Sequence, residues 1–155
     1  MRVMDHEREL EEVVEERVAD ARGKTRVTAG NVAHVLSDVS QDKLRHLVDW
    51  QGDPNGPKST TLGDLDKALP GDTRIDDIPV TLPDFVRGAG ITNPHQLREL
   101  DEKGITNSQK DTNGRRIYKG EDVTRTVVAD EYAKAGCPPE QLTKAVDTAK
   151  PRRTA

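Results

Sequence analysis

Gly90-Ile91-Thr92-Asn93-Pro94-His95-Gln96-Leu97-Arg98 is the stretch on which the fold reading turns. Ahead of it, Leu82, Phe85, Val86 and Ala89 repeat at i, i+3, i+4 and i+7, which predicts a short amphipathic helix over Leu82 to Ala89 with Thr81 as its N-cap. Gly90 then breaks the period. Asn93 suits an N-cap, Pro94 the first helical position, and Gln96 the third place of a capping box. The second helix is expected to close at Gly104 in a left-handed conformation, with Ile105 folding back onto its end. Only Leu97 and Leu100 are clearly apolar in it, so one face is buried and the rest is presented outward.

Working outward, Lys110-Asp111-Thr112-Asn113-Gly114-Arg115-Arg116-Ile117-Tyr118 reads as a basic hairpin. Asn113-Gly114 predicts a type I′ turn, whose two central positions need positive φ. Helix, turn, helix and basic wing in that order describe a winged helix-turn-helix, an arrangement whose second helix fits a DNA major groove. Glu121 to Ala135 predicts the next helix, with Val123, Val127, Val128, Tyr132 and Ala135 as its stripe and Gly136 as its stop. A last helix after Cys137-Pro138-Pro139-Glu140 carries Leu142, Ala145, Val146 and Ala149.

Gly90-Ile91, Leu97-Arg98, Gly104-Ile105, then Gly114, Arg116, Ile117 and Tyr118, followed by Glu121-Asp122-Val123 and Gly136, resemble the MerR-type DNA-binding domains. That family includes regulators, excisionases and some phage packaging proteins, and the likeness spans residues 79–149. The resemblance implies that the second helix reads base edges while the wing Arg and helix residues hold phosphates. It nominates Arg98 for the groove and Arg116 for a phosphate. It also implies a stand-alone member with no effector domain. Where the family has two aromatics after the Leu-Arg pair, this chain has Glu99 and Leu100, and Arg115 replaces the aromatic before the wing Arg.

The half before Pro70 is a helical region with a second, generic helix-turn-helix rhythm. Residues 5–22 read as a helix with Leu10, Val13, Val14, Val18 and Ala21 on one face, Glu7, Glu9, Glu11, Glu12, Glu15 and Glu16 around the rest, and Gly23 closing it. The acidic run reads as a solvated face; the alternative is pairing with another copy or a basic partner. Thr28 caps a helix carrying Val32, Ala33, Val35 and Leu36, and Ser40 caps the next, with Leu44, Leu47, Val48 and Trp50. Residues 52–57 form a loop or short wing, and a further helix is expected near Leu62 to Leu69. The expected organisation is therefore a mainly α chain: residues 1–70 helical, with a possible second winged helix; 71–79 a linker docked by Ile75 and Ile78; 80–149 the winged helix-turn-helix; and 150–155 a basic tail.

Composition narrows the function classes. Of 155 residues, 32% are hydrophobic and 34% charged, with four aromatics (Trp50, Phe85, Tyr118 and Tyr132), too thin a core for a deep enzymatic pocket. Cys137 is the lone cysteine, so neither an intramolecular disulfide nor a multi-cysteine metal site is expected; it reads as a buried helix-junction residue. His6, His34, His46 and His95 lack ligand spacing, and Asp76-Asp77 is a carboxylate pair in a linker. His34, between apolar neighbours, is expected to be partly buried. No catalytic constellation, metal or cofactor is expected. The net charge of −4 hides an asymmetry: residues 1–78 carry 11 Lys and Arg against 17 Asp and Glu, and residues 79–155 carry 13 against 11. Binding follows the local field at the contact face.

These readings converge on a double-stranded DNA-binding protein of the cytoplasm and nucleoid, a small transcription regulator or viral or mobile-element accessory factor. Thr92, His95, Gln96 and Arg98 would meet bases or sugar-phosphate, and Lys110, Arg115, Arg116 and Lys119 flanking phosphates. A homo-oligomer or partner protein is expected to raise affinity, and no membrane is involved. The alternative is an assembly or packaging adaptor that uses the winged helix as a protein-binding surface.

Overall fold

Residues 2–52 and 57–149 are described by the structure, a computed structural model, with side chains from residue 9 onward. Loop residues 53–56, the basic tail from Lys150 and the His6 side chain lie outside the described residues. In chain order the elements are α1 (Arg2–Lys24), β1 (Arg26–Thr28), α2 (Ala29–Val35), α3 (Gln41–Leu47), β2 (Ser59–Thr61), α4 (Leu62–Ala68), a 3-10 turn (Thr73–Asp77), β3 (Pro79–Thr81), α5 (Leu82–Ala89), α6 (Pro94–Glu102), β4 (Gln109–Lys110), β5 (Arg116–Lys119), α7 (Gly120–Lys134) and α8 (Pro139–Thr148). The chain is mainly helical, with two small antiparallel sheets.

Local chemistry accounts for most of the helix starts. The Thr28 hydroxyl accepts from the Asn31 N–H (3.2 Å), Ser40 from Lys43 (3.2 Å), Thr61 from Asp64 (3.1 Å) and the Asn93 side chain from His95 (3.0 Å). Thr81 departs from this pattern. Its hydroxyl is turned to the Asp84 carboxylate (2.9 Å) and caps no backbone N–H. Gly104 adopts φ 75°, and Ile105 donates back to the Leu100 carbonyl (3.0 Å) and is buried. The expected Gln96 capping box does not form; the Gln96 N–H instead donates to the Asn93 carbonyl (3.0 Å).

One strand–helix–helix–strand–helix order occurs twice. β1 pairs with β2 and β3 with β5, and the registers match: Val27 lies opposite Thr60, and Val80 opposite Tyr118. A bridge sets Gln51 opposite Ser59, just as β4 sets Gln109 opposite Ile117. One constant shift in numbering carries the starts of α2 and α3 to those of α5 and α6, and a second carries the start of α4 to that of α7.

Helix α1 lies against both α4 and α7, the matching last helices of the two units. Val14, Val18 and Ala21 are buried there, Leu10 is half-buried, and Val13 is 42% exposed. The expected stripe was one residue too wide, because Val13 lies a full 100° step from Val14. Gly23 does not end the helix either. The close approach there depends on Gly63 of α4, where a Cβ would stand 2.8 Å from the Gly23 Cα, whereas one on Gly23 would meet nothing within 4 Å. Arg22, one turn beyond Val18, is buried at the junction. Its guanidinium donates to both oxygens of Asp66 (2.6 and 2.9 Å), to Asp76 (3.2 Å), to the Thr124 hydroxyl (3.1 Å) and to the Gly120 carbonyl (3.4 Å). One cation on α1 thus holds three other pieces of chain, α4, the 3-10 turn and α7.

Ile75 and Ile78 of the connecting segment are wholly buried, each contributing roughly 1.5–3 kcal/mol, so the connection is docked into the core. Core side chains from both units and α1 form one continuous cluster. His34 is exposed despite its apolar neighbours, since residues adjacent in a helix point to different faces. Cys137 is half-buried rather than buried.

Candidate functional site

Around α6 three faces separate. Leu97 is buried and Leu100 half-buried against the core. Gln96, Glu99 and Lys103 line a pocket of about 170 Å³ whose other walls include Arg17, Ile105, Ala129, Asp130 and Leu142. His95, Arg98 and Glu102 stand on the remaining face, all exposed. Of the residues nominated from sequence, Arg98 and His95 therefore share a side. Gln96 is turned toward the pocket, as two residues of separation demand in a helix. Thr92 is exposed in the turn before α6.

The β4–β5 ribbon is fastened to α6 by Asp101, one turn beyond Arg98. Its carboxylate accepts from the Thr106 hydroxyl (2.6 Å), the Ser108 hydroxyl (2.6 Å) and the Ser108 N–H (3.3 Å), and it lies 3.8 Å from the Arg116 Nε. A second carboxylate, Asp122, accepts from the N–H groups of Lys119 (2.9 Å) and Asn107 (3.1 Å). Burial pushes the Asp122 carboxyl above the usual aspartate range, against the pull of those two hydrogen bonds. These two aspartates fix where the ribbon leaves the helix. Sequence reasoning passed over Asp101 and named Asp122 only within the Glu121-Asp122-Val123 helix start; as the third helical residue of α7 its carboxylate satisfies free N–H groups.

At the ribbon tip the turn differs from the expected type. The Gly114 N–H donates to the Asp111 carbonyl (3.0 Å), Gly114 has φ 76°, and among the described residues no residue other than glycine has positive φ. Asn113 therefore does not take a type I′ position. Instead the Asp111 carboxylate accepts from the N–H groups of Asn113 and Arg115 (both 2.9 Å), so Asp111, not Asn113, organises the turn. Thr81, Leu82 and Pro83 at the start of α5 form a groove with Arg115, Arg116 and Ile117 of the ribbon.

Beneath the ribbon, Tyr118 stacks on Phe85 with centroids 3.8 Å apart and planes 4° from parallel. Burial raises the pKa of its hydroxyl, with the Asp101 charge adding to the effect and Arg116 opposing it. At the far end of α6, the Arg125 guanidinium donates to the carbonyls of Ile105 (2.7 Å) and Gly104 (3.2 Å) and pairs with Asp147 (2.6 Å), tying α7 and α8 to the C-terminal end of α6.

The electrostatic outcome is a set of open cations on a rigid frame. Arg98, Lys110, Arg115 and Lys119 are exposed, and among the described residues none of them forms an ion pair. Arg116 is half-buried, lies beside Tyr118, and among the described residues has one ion pair, a long contact with the partly buried Asp101 at 3.8 Å. Asp101 follows Arg98 by three residues on α6 and lies 3.8 Å from the Arg116 Nε on β5. Such a surface suits an extended polyanion. Among the described residues, no three His, Cys, Asp or Glu side chains gather to hold a metal ion, and no helix is long and apolar enough to cross a membrane.

No family model matches the chain, and neither the curated proteins nor the solved structures show a match to it.

Proposed function

We propose that this chain is a double-stranded DNA-binding protein of winged helix-turn-helix type, acting as a small transcription regulator or as an accessory factor of a virus or mobile element. In this reading α6 enters the major groove with Arg98 and His95 toward base edges. The β4–β5 ribbon is the wing, and Lys110, Arg115, Arg116 and Lys119 hold flanking phosphates. The observation that carries it is the row of exposed cations without carboxylate partners beside the single weak Asp101–Arg116 pair. The likeness of residues 79–149 to MerR-type domains supports the same assignment.

Fluorescence anisotropy with a random-sequence duplex, titrated against NaCl, tests it. Binding is expected to weaken steeply with salt, and Arg116→Ala to lower the log–log salt slope by about 0.9, as for one lost phosphate contact. Arg98→Ala is expected to cost about 1–3 kcal/mol on duplexes selected from a random pool and to relax preference at one position. No binding even at low salt overturns the proposal. It favours instead the adaptor reading, for which the specific observations are Glu99 on α6 and the exposed Glu9, Glu11, Glu12, Glu15 and Glu16 around Val13 on α1.

A further inference from the structure

The repetition of the fold extends to the charges. The shift that carries α3 onto α6 carries Leu44-Arg45 onto Leu97-Arg98, and Leu44 is buried as Leu97 is. The shift that carries β2 onto β5 places Lys58 where Arg116 stands. Both members of the cation pair that defines the α6–β5 edge thus recur on the N-terminal unit, and Arg45 and Lys58 are exposed. The agreement holds at the buried Leu44 and Leu97, in the strand register and at these two cations, while Gly52, Pro57 and Thr61 stand where the other unit has Lys110, Arg115 and Lys119.

From this we infer that the N-terminal unit is a second nucleic-acid contact face, so that one chain grips duplex DNA at two places. The inference rests on the function proposed above and adds to it a bipartite mode of binding. The N-terminal face lacks two of the carboxylates that temper the other one. His46 occupies the place of Glu99, and Val48 that of Asp101, leaving Lys58 without the partner that Arg116 has. It carries acids of its own in Asp42 and Asp49, of which Asp42 reaches Arg45 only at 4.0 Å, with both side chains more than 70% exposed. Lys43 adds a further exposed cation at the place of Gln96.

The two faces are held at a fixed spacing. Arg22 ties α4 of one unit to α7 of the other, the Asn31 amide donates to the Pro79 carbonyl (3.5 Å), and the connecting segment is buried through Ile75 and Ile78. A grip by both faces is therefore stiff rather than tethered, and it gains affinity where one duplex engages both at once.

The test uses the full chain and two double variants, Arg45→Ala/Lys58→Ala and Arg98→Ala/Arg116→Ala, with a random-sequence 36-bp duplex (a length of roughly three helical turns) followed by anisotropy across a NaCl series. Melting curves check that the fold survives, above all for Arg116→Ala, since Arg116 is half-buried where Arg45, Lys58 and Arg98 are exposed. Each double variant is expected to weaken binding and to lower the log–log salt slope by roughly 0.9 units for the one phosphate contact of Lys58 or Arg116, and the quadruple variant to lose binding beyond either alone. If Arg45→Ala/Lys58→Ala binds with the wild-type affinity and slope while Arg98→Ala/Arg116→Ala is weakened, the second face is overturned and the proposed function stands. If the N-terminal variant alone is weakened, only one face binds, and both the two-place grip and the assignment to α6 and β5 are overturned. Absence of wild-type binding at low salt overturns both.

Discussion

Replacing Arg22 by Met should be among the most damaging single changes in this protein. The guanidinium is 2% exposed and meets Asp66, itself only 7% exposed, through two hydrogen bonds of 2.6 and 2.9 Å. Methionine leaves the Asp66 carboxylate buried without its cation, and removing one partner of such a pair costs about 3–5 kcal/mol. Against a total stability of roughly 5–15 kcal/mol, that is a large share. With about 2–4 °C per kcal/mol for a chain of this size, the melting temperature should fall by about 6–20 °C. Thermal melts followed by circular dichroism measure that shift and chemical denaturation the free energy, with Asp66→Leu and the double variant completing a cycle. The double variant should be less destabilised than the sum of the two single variants, because no charge is then stranded between α1 and α4. A single Arg22→Met variant within 1 kcal/mol of the wild type, or a cycle that is simply additive, would refute the view that this cation locks the two units together.

Other consequences are as direct. A Cβ on Gly88 would fall 1.9 Å from the Thr25 hydroxyl and 3.1 Å from its Cα, so Gly88→Ala should destabilise by about 1–3 kcal/mol, with Thr25→Gly in the same chain recovering part of the loss in thermal melts. The Tyr118 hydroxyl is buried with no hydrogen-bond partner among the described residues, as is that of Thr60 at the matching position; Tyr118→Phe should therefore be neutral or stabilising by up to about 1 kcal/mol, where a paired tyrosine would lose stability. The Asp122 carboxyl, raised by burial, holds its proton in the folded chain to a higher pH than in the unfolded one. Stability from this group is fully present below the unfolded value near pH 4 and is lost as pH rises through the folded value. The free-energy difference between wild type and Asp122→Asn, measured by denaturation across that window, should therefore move against the wild type as pH increases. A flat difference would show that the two N–H donors cancel the effect of burial.

Much of the local architecture was legible in the residues themselves. Thr28, Ser40 and Asn93 cap where their side chains predict, Gly104 takes the left-handed position after α6, and Ile75 and Ile78 dock the connection. Each of the caps is settled within about four residues by hydrogen bonds that the sequence can nearly specify alone. The exposed cations of the candidate site were legible for a related reason, because a charged side chain with no buried partner remains at the surface.

Only the tertiary structure decided what depends on distant segments. Val13 and Val14 are equivalent in composition, yet α4 and α7 cover one and leave the other out. Gly23 suggested a helix stop; the nearness of Gly63 makes it a point of contact. Arg22 could be read as one more surface arginine until Asp66 and Asp76, far along the chain, arrived to bury it. The division of α6 into a face with Arg98 and a face with Gln96 likewise required α1, α7 and α8 to be in place. Most hydrogen bonds between near neighbours are set by local sequence, Thr81 being an exception, whereas burial is a property that two remote surfaces acquire together, and a linear chain does not state which of its faces will meet.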